Sequence, residues 1–234
     1  MQTGRIALVL IVVAAAFAQA PGPQVSDKEK ALDIVVTKAN QMGASGDRAG
    51  QIQLLQATLQ KIQNDPILHT KDVDVMRHLA RAYSDTQRYA DAVRVYTIAM
   101  GKMKDECVPA SPGADRCAGT AYDMGVAQMY QGDFASAVDT LRPATTLYAA
   151  VAKRAPTTIV RLMTLKLQAN VQSMLAAALF RSGKKAESIA AYQLAVDEYT
   201  RIINNPESGE GLTNLAKQSR QDAQQSLDLI KKEK

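Results

Sequence analysis

Few residues in this chain are equipped for chemistry. Two histidines, His69 and His78, stand nine positions apart. Neither has the neighbouring cysteines that a zinc site needs, nor the partner that a general base needs. They read as exposed helix-end residues, and no metal or cofactor is expected. Gly132-Asp133 invites a phosphate-loop reading, but the chain has no P-loop, G-x-S-x-G or H-E-x-x-H pattern. The acidic pair in "KDVDV", Lys71–Val75, is accounted for by helix capping, with Asp72 as the cap. No nucleophile pairs with a base. These residues point to binding, and no catalytic residue is nominated.

Cys107 and Cys117 lie ten positions apart in a stretch bearing Pro and Gly. The spacing is not C-x-x-C, so a local disulfide is expected in an oxidising compartment. A redox or metal pair is the alternative. The N-terminus suggests such a compartment. Arg5 supplies a positive start, and "IALVLIVVAAAF" from Ile6 to Phe17 is continuously apolar. Ala16 and Ala18 form an A-x-A cleavage pattern. Residues 1–18 therefore read as a signal peptide and 19–25 as a linker, which implies a periplasmic or secreted protein. An uncleaved membrane anchor is the competing reading. The apolar run is too short to cross a bilayer comfortably, so no stable span is expected after cleavage.

The formal net charge of +5 over 234 residues is mild. A nucleic-acid binder needs a denser basic stripe, so none is expected to bind specifically. The charge is unevenly placed. From Thr140 to Ala186 there is no acid, while Arg142, Lys153, Arg154, Arg161, Lys166, Arg181, Lys184 and Lys185 all fall there. That span is either a solvated flank or a surface for an acidic peptide, polymer or membrane.

The elements that must position these residues read as helices throughout. Ala, Gln, Leu, Lys and Arg dominate, and no segment sustains period-2 alternation. "SDKE" at Ser26 is a capping box that starts the first helix. Apolar residues then recur at 3–4 spacing, with breaks at "GASGD", "NDP", "RAPTT" and "NNPESGEG".

Three pieces of equal length align without gaps. They are "LARAYSDTQRYADAVRVYTIA" (Leu79–Ala99), "MGVAQMYQGDFASAVDTLRPA" (Met124–Ala144) and "LAAALFRSGKKAESIAAYQLA" (Leu175–Ala195). Each opens large-small and breaks eight residues later at Gln87, Gly132 or Gly183. Each then places Ala92, Ala137 or Ser188 five residues on, and ends on Ala. Small residues at a crossing let two antiparallel helices approach, and a hairpin this short must stack on neighbours.

The three pieces resemble the tetratricopeptide repeat, with "MGVAQMYQGDFASAV" the best match. The resemblance implies an all-α, right-handed α-solenoid of antiparallel hairpins with a C-terminal capping helix, in an exported bacterial protein. Hairpins are expected at 70–104, 115–154 and 157–204, and a degenerate one at 26–66. A cysteine loop is inserted at 101–117, and 212–234 caps the array. In the degenerate unit Ala39, Gly46 and Leu55 fit, while Gln51 and Thr58 replace small residues. The units recur at 45 and 51 residues rather than the family's 34. The resemblance further implies a non-enzymatic scaffold that binds a protein or peptide, acidic in one reading, in a concave groove. Arg77, Arg81, Tyr122, Met129, Tyr130, Phe180 and Arg181 are the partner-binding residues it nominates. Other groove positions are Asp74, Ser84, Asp85, Val126, Asn170, Ser173 and Ala177. The sequence does not specify an oligomeric state.

If Cys107 and Cys117 are bonded, a thiol-alkylating reagent modifies neither before reduction and both after it. Reduction should also lower the unfolding free energy by about 2–3 kcal/mol, the loop-closure effect for this spacing. Mass spectrometry and denaturant titration read the two outcomes.

Overall fold

The computed structural model describes residues 26–65 and 67–233. Pro66, the proposed signal segment 1–18 and the linker 19–25 lie outside the described residues, as do the side chains of His69 and Thr70. The described residues form helices and no strand, so the all-α expectation holds. In chain order the helices are α1 (Asp27–Ala44), α2 (Arg48–Ile62), α3 (Asp72–Asp85), α4 (Tyr89–Lys102), α5 (Ala114–Gln131), α6 (Phe134–Lys153), α7 (Thr158–Arg181), α8 (Lys185–Ile203) and α9 (Gly209–Lys232).

Local chemistry explains the helix starts. The Ser26 hydroxyl accepts from the Glu29 N–H at 3.2 Å, and the Glu29 carboxylate accepts from the Ser26 N–H at 2.9 Å. Asp47, Asp133 and Thr157 cap α2, α6 and α7 from one side only, each accepting from the N–H three residues on. Asp72 is not a cap. It is the first residue of α3, and its buried carboxylate pairs with Lys102 Nζ at 2.6 Å, tying the start of α3 to the end of α4. His78 is half-buried in the middle of α3, not at an exposed helix end. Cys117 lies within α5, so the loop of the cysteine pair ends at Gly113.

Four turns share one geometry. Gly46, Gln87, Gly132 and Gly183 all have positive φ, at 93°, 61°, 87° and 77°. At each, the next residue's N–H bonds back five positions: Asp47 to Met42, Arg88 to Tyr83, Asp133 to Gln128 and Lys184 to Leu179, at 2.8–2.9 Å. This is the Schellman closure, which satisfies orphan carbonyls and reverses the chain. Each turn is short enough to force antiparallel packing of α1 on α2, α3 on α4, α5 on α6 and α7 on α8. The degenerate first pair thus closes as the others do.

Inside each hairpin the crossing is tight. Ala39, Ala80 and Ala176 are fully buried, and Gly125 takes the same place in α5. A Cβ on Gly125 would lie 2.5 Å from Leu141 Cγ, so the leucine fills the space the glycine leaves. Gln51 stands where the other units have Ala92, Ala137 or Ser188. It fits because Gly43 opposite has no side chain: an added Cβ would meet Gln51 Oε1 at 2.3 Å. Thr58 is buried with its hydroxyl on the Leu54 carbonyl at 2.7 Å.

Successive hairpins stack in order, and a single apolar core runs through all of them. Across the stack α1 meets α3, α3 meets α5, α5 meets α7 and α7 meets α9. The second helices make no comparable approach to one another. The first helices therefore line the inner, concave face. α9 closes the array through Ala216, Ala223, Leu227 and Ile230, one buried stripe against α8 and α7. No helix among the described residues is long and apolar enough to cross a membrane.

Gln87 is the only described non-glycine residue at positive φ, where a side chain costs about 1 kcal/mol. Gln87→Gly should raise the denaturation midpoint by that order. Gly132→Ala and Gly183→Ala should each lower stability by a similar amount.

Candidate peptide-binding face

The turn geometry fixes one residue in each hairpin, two positions after the positive-φ residue. These are Arg48, Tyr89, Phe134 and Lys185, each the first residue of a second helix. Three of them reach the end of the next first helix. Arg48 pairs with Asp85 at 2.9 Å. Tyr89 stacks on Tyr130 with ring centroids 5.2 Å apart and planes 15° from parallel. The Arg181 guanidinium lies 4.8 Å from the Phe134 ring centroid. Lys185 donates to the backbone carbonyl of Glu233 at the end of α9. One structural position is thus filled by an ion pair, an aromatic stack, a cation–π contact and a helix C-cap. These rungs run along one edge of the concave face.

Between α3, α4 and α5 lies a cavity of about 440 Å³. Arg81 crosses it to Asp123, with Nε 2.8 Å and Nη2 2.7 Å from the same carboxylate oxygen. Burial pushes the Asp123 carboxyl above its usual range, and the Arg81 charge only partly offsets this. A carboxyl raised in the folded state contributes stability below its unfolded pKa, lost as pH rises through the folded value. Burial likewise pushes the Tyr96 phenol up, and it stays protonated beside them. Tyr130 stands at the rim, 69% exposed. Ser84 Oγ is buried here without a hydrogen bond.

A second cavity, of about 250 Å³, lies between α5, α7, α8 and α9. The Tyr199 hydroxyl donates to Asn170 Oδ1 at 2.7 Å. Ser219, Asp222 and Ser226 face it from α9, and Tyr122 closes the α5 side. Burial raises the phenols of Tyr199 and Tyr192. Ser173 Oγ is buried beside the Tyr199 hydroxyl without a well-formed hydrogen bond.

The nominated residues divide accordingly. Arg81 and Tyr130 share the first cavity, with Ser84, Asp85 and Val126. Tyr122 is in the second, with Asn170, Ser173 and Ala177. Met129 and Phe180 are half-buried and pack on the core. Arg77 is mostly buried, its Nε without a partner and its nearest acid, Asp74, 3.7 Å away. Arg181 rests on Phe134. Of the other cations between Thr140 and Ala186, Arg142 pairs with Glu187 at 2.8 Å. Arg154 donates to the Ala110 and Ser111 carbonyls at 2.6 and 2.9 Å. Half of that basic span thus serves the fold itself.

The cysteines are bonded, with Cα atoms 5.3 Å apart. Cys117 is 1% exposed. Beside it Arg116 joins Glu106 of the loop to Asp74 of α3, at 3.2 Å to Asp74. Together with Arg154 these contacts pin the loop to α3, α5 and α6. Among the described residues no group of three His, Cys, Asp or Glu is placed to hold a metal ion.

No protein-family profile and no curated protein sequence matches the chain. Solved structures do. One is a variant of the nearly identical TPR-like repeats of a kinesin light chain candidate from Podosopora anserina. It superposes with a TM-score of 0.61 over 88% of this chain and 96% of its own, at 19% identity. The fold is a tetratricopeptide-like solenoid. The unsubstituted repeats give 0.59 at 18% identity, over 86% and 93% of the two chains. At these identities the likeness is one of fold.

Sequence reasoning placed a helix at α9 but missed its role as a cavity wall. Ser219, Asp222 and Ser226 recur at spacings of 3 and 4, a helical face in plain view. Reading α9 only as a cap hid that the flank of its buried stripe completes a cavity. The Tyr89–Tyr130 and Phe134–Arg181 rungs were equally unmarked, since they join different repeats. Double-mutant cycles with alanine should give coupling of about 0.5–1.5 kcal/mol for the Tyr89–Tyr130 pair. The exposed Arg48–Asp85 pair should give less than about 1 kcal/mol.

Proposed function

We propose that this protein is a non-catalytic interaction scaffold that holds a peptide segment of a protein partner along its concave face. The observation that carries this reading is the pair of cavities on that face, each opened by residues of successive first helices rather than filled by the core. Arg81, Tyr122 and Tyr130 supply contacts of the kind enriched at interfaces. Arg81 is the group there that would meet an acidic residue of the partner, in competition with Asp123. The TPR-like fold supports a binding role in general terms.

We place the scaffold in the bacterial cell envelope, exported by cleavage after Ala18. The apolar N-terminal stretch and the bonded cysteine pair support that location. The buried position of Cys117 argues for a structural bond over a redox role, because exchange needs an accessible sulfur. An assembly factor tethered by a retained N-terminal helix is the second reading, favoured by the same apolar stretch.

Crosslinking pull-downs with wild type and with an Arg81→Glu/Tyr130→Ala variant test the concave face. Recovery of a specific partner should fall about tenfold or more. Equal recovery of every partner by a folded variant would overturn the reading. N-terminal sequencing of the mature protein should begin at Gln19; a retained Met1 would favour the tethered factor.

A further inference from the structure

The two concave cavities differ in charge. The first holds Arg81 and Asp123 together. The second has a carboxylate, Asp222, and no cation among its lining residues. Its remaining polar groups are hydroxyls and one amide: Asn170, Ser173, Tyr199, Ser219 and Ser226 among them. The Tyr199 proton is committed to Asn170, so the phenol oxygen is left as an acceptor. Two basic residues of α9 turn the other way. Lys217 and Arg220 line a separate cavity against α8, beside Val196 and Thr200. Lys166 lies one turn before Asn170 on α7 and is not in the lining.

A second observation concerns what stands next to this cavity. On α7, Met163 and Leu167 share the helical face of Asn170, Ser173 and Met174, at spacings of 3, 4 and 7. On α9, Leu215 shares the face of Ser219 and Asp222. Met163, Leu167 and Leu215 are exposed at 56%, 44% and 55%. α7 and α9 run in the same direction, since α8 reverses between them. The Tyr199 hydroxyl meets Asn170 of α7 and Ser219 of α9, and Leu167 and Leu215 lie three and four residues before these, each seven before Met174 or Asp222. Seven helical residues rise about 10 Å. An extended peptide covers that distance in three residues.

We infer that this cavity receives the ammonium group of a lysine in the partner peptide, while Leu167 and Leu215 hold a large apolar residue three positions away. The inference rests on the concave-face reading and names what that face selects. The chemistry follows from the donor count. An ammonium carries three divergent donors and no acceptor, and the acceptors here come from helices on several sides of it. The planar fork of arginine matches a single carboxylate edge better than this scattered set. A partner carboxylate would face Asp222 with no cation among the lining residues to pair with, and is disfavoured by that repulsion. The tyrosine rings add attraction for a cation where it lies over their faces.

Selection of a random 12-residue peptide display library on the full-length protein tests the inference. Recovered peptides should be enriched in lysine with a large apolar residue three positions away. In titrations of one such peptide, replacing the lysine by norleucine should weaken binding about tenfold or more. Asp222→Asn should weaken the lysine peptide by a similar factor and leave the norleucine peptide unchanged. Leu215→Ala, at an exposed site that folding does not depend on, should weaken both. Binders without lysine enrichment, or equal affinity of the lysine peptide for Asp222→Asn, would overturn this inference and leave the concave-face reading intact provided Tyr130→Ala still weakens them. Preference for arginine or glutamate over lysine would also overturn it. Failure to recover any binder sensitive to Asp222, Leu215 or Tyr130 would overturn both readings.

Discussion

The backbone bond across each positive-φ turn is the constraint on which the rest of this structure depends. The N–H of Asp47, Arg88, Asp133 or Lys184 closes on a carbonyl five residues earlier, and each hairpin reverses there. That bond sets where each second helix begins. It therefore decides which residue, Arg48, Tyr89, Phe134 or Lys185, is presented to the neighbouring hairpin. Because the turn is the same in all four hairpins, chemically unrelated side chains occupy equivalent places. The inter-repeat contact is a position before it is an interaction, and ion pair, stack and cation–π contact are alternative ways of filling it.

Packing and charge are divided between the two faces of the stack. The crossing positions Ala39, Ala80, Gly125 and Ala176 bring paired helices close enough that the core is continuous. Where one partner is enlarged, as at Gln51, the opposite residue shrinks to Gly43. Close packing tolerates the exchange because volume is conserved across the pair. Most charges answer structural needs. Asp72 ties α3 to α4, Arg116 ties the disulfide loop to α3, and Arg154 holds that loop from α6. The basic stretch between Thr140 and Ala186 looks like a binding surface on paper, yet four of its eight cations, Arg142, Arg154, Arg181 and Lys185, make contacts within the fold.

The concave face is what the core leaves unfilled. It is lined by first helices that touch only lightly, so side chains there have room and retain polar groups. The two cavities share walls from α5 but differ in chemistry: one carries an internal ion pair, the other a lone carboxylate among hydroxyls. The inserted cysteine loop lengthens the interval between repeats without disturbing the turns, because it joins the end of one hairpin to the start of the next. The longer α6 and α7 lengthen the second interval. α7 also carries the groove past the cavity to an exposed apolar strip at Met163 and Leu167.

The sequence alone determined the helices, the hairpins and the small-residue crossings. Those depend on neighbours within about twenty residues, and spacing of 3–4 with a Gly break records them directly. The cysteine pair was legible for the same reason. Tertiary structure alone decided which side chains meet across repeats. Arg81 and Asp123 are 42 residues apart, and Tyr89 and Tyr130 are 41 apart. No local period links such pairs. It also decided that Arg77 is mostly buried, that Asp72 is a buried ion partner and not a cap, and that α9 is a wall of a cavity as well as a lid. A helix shows its two faces in its own sequence, but what each face lies against is set only when the stack closes around it.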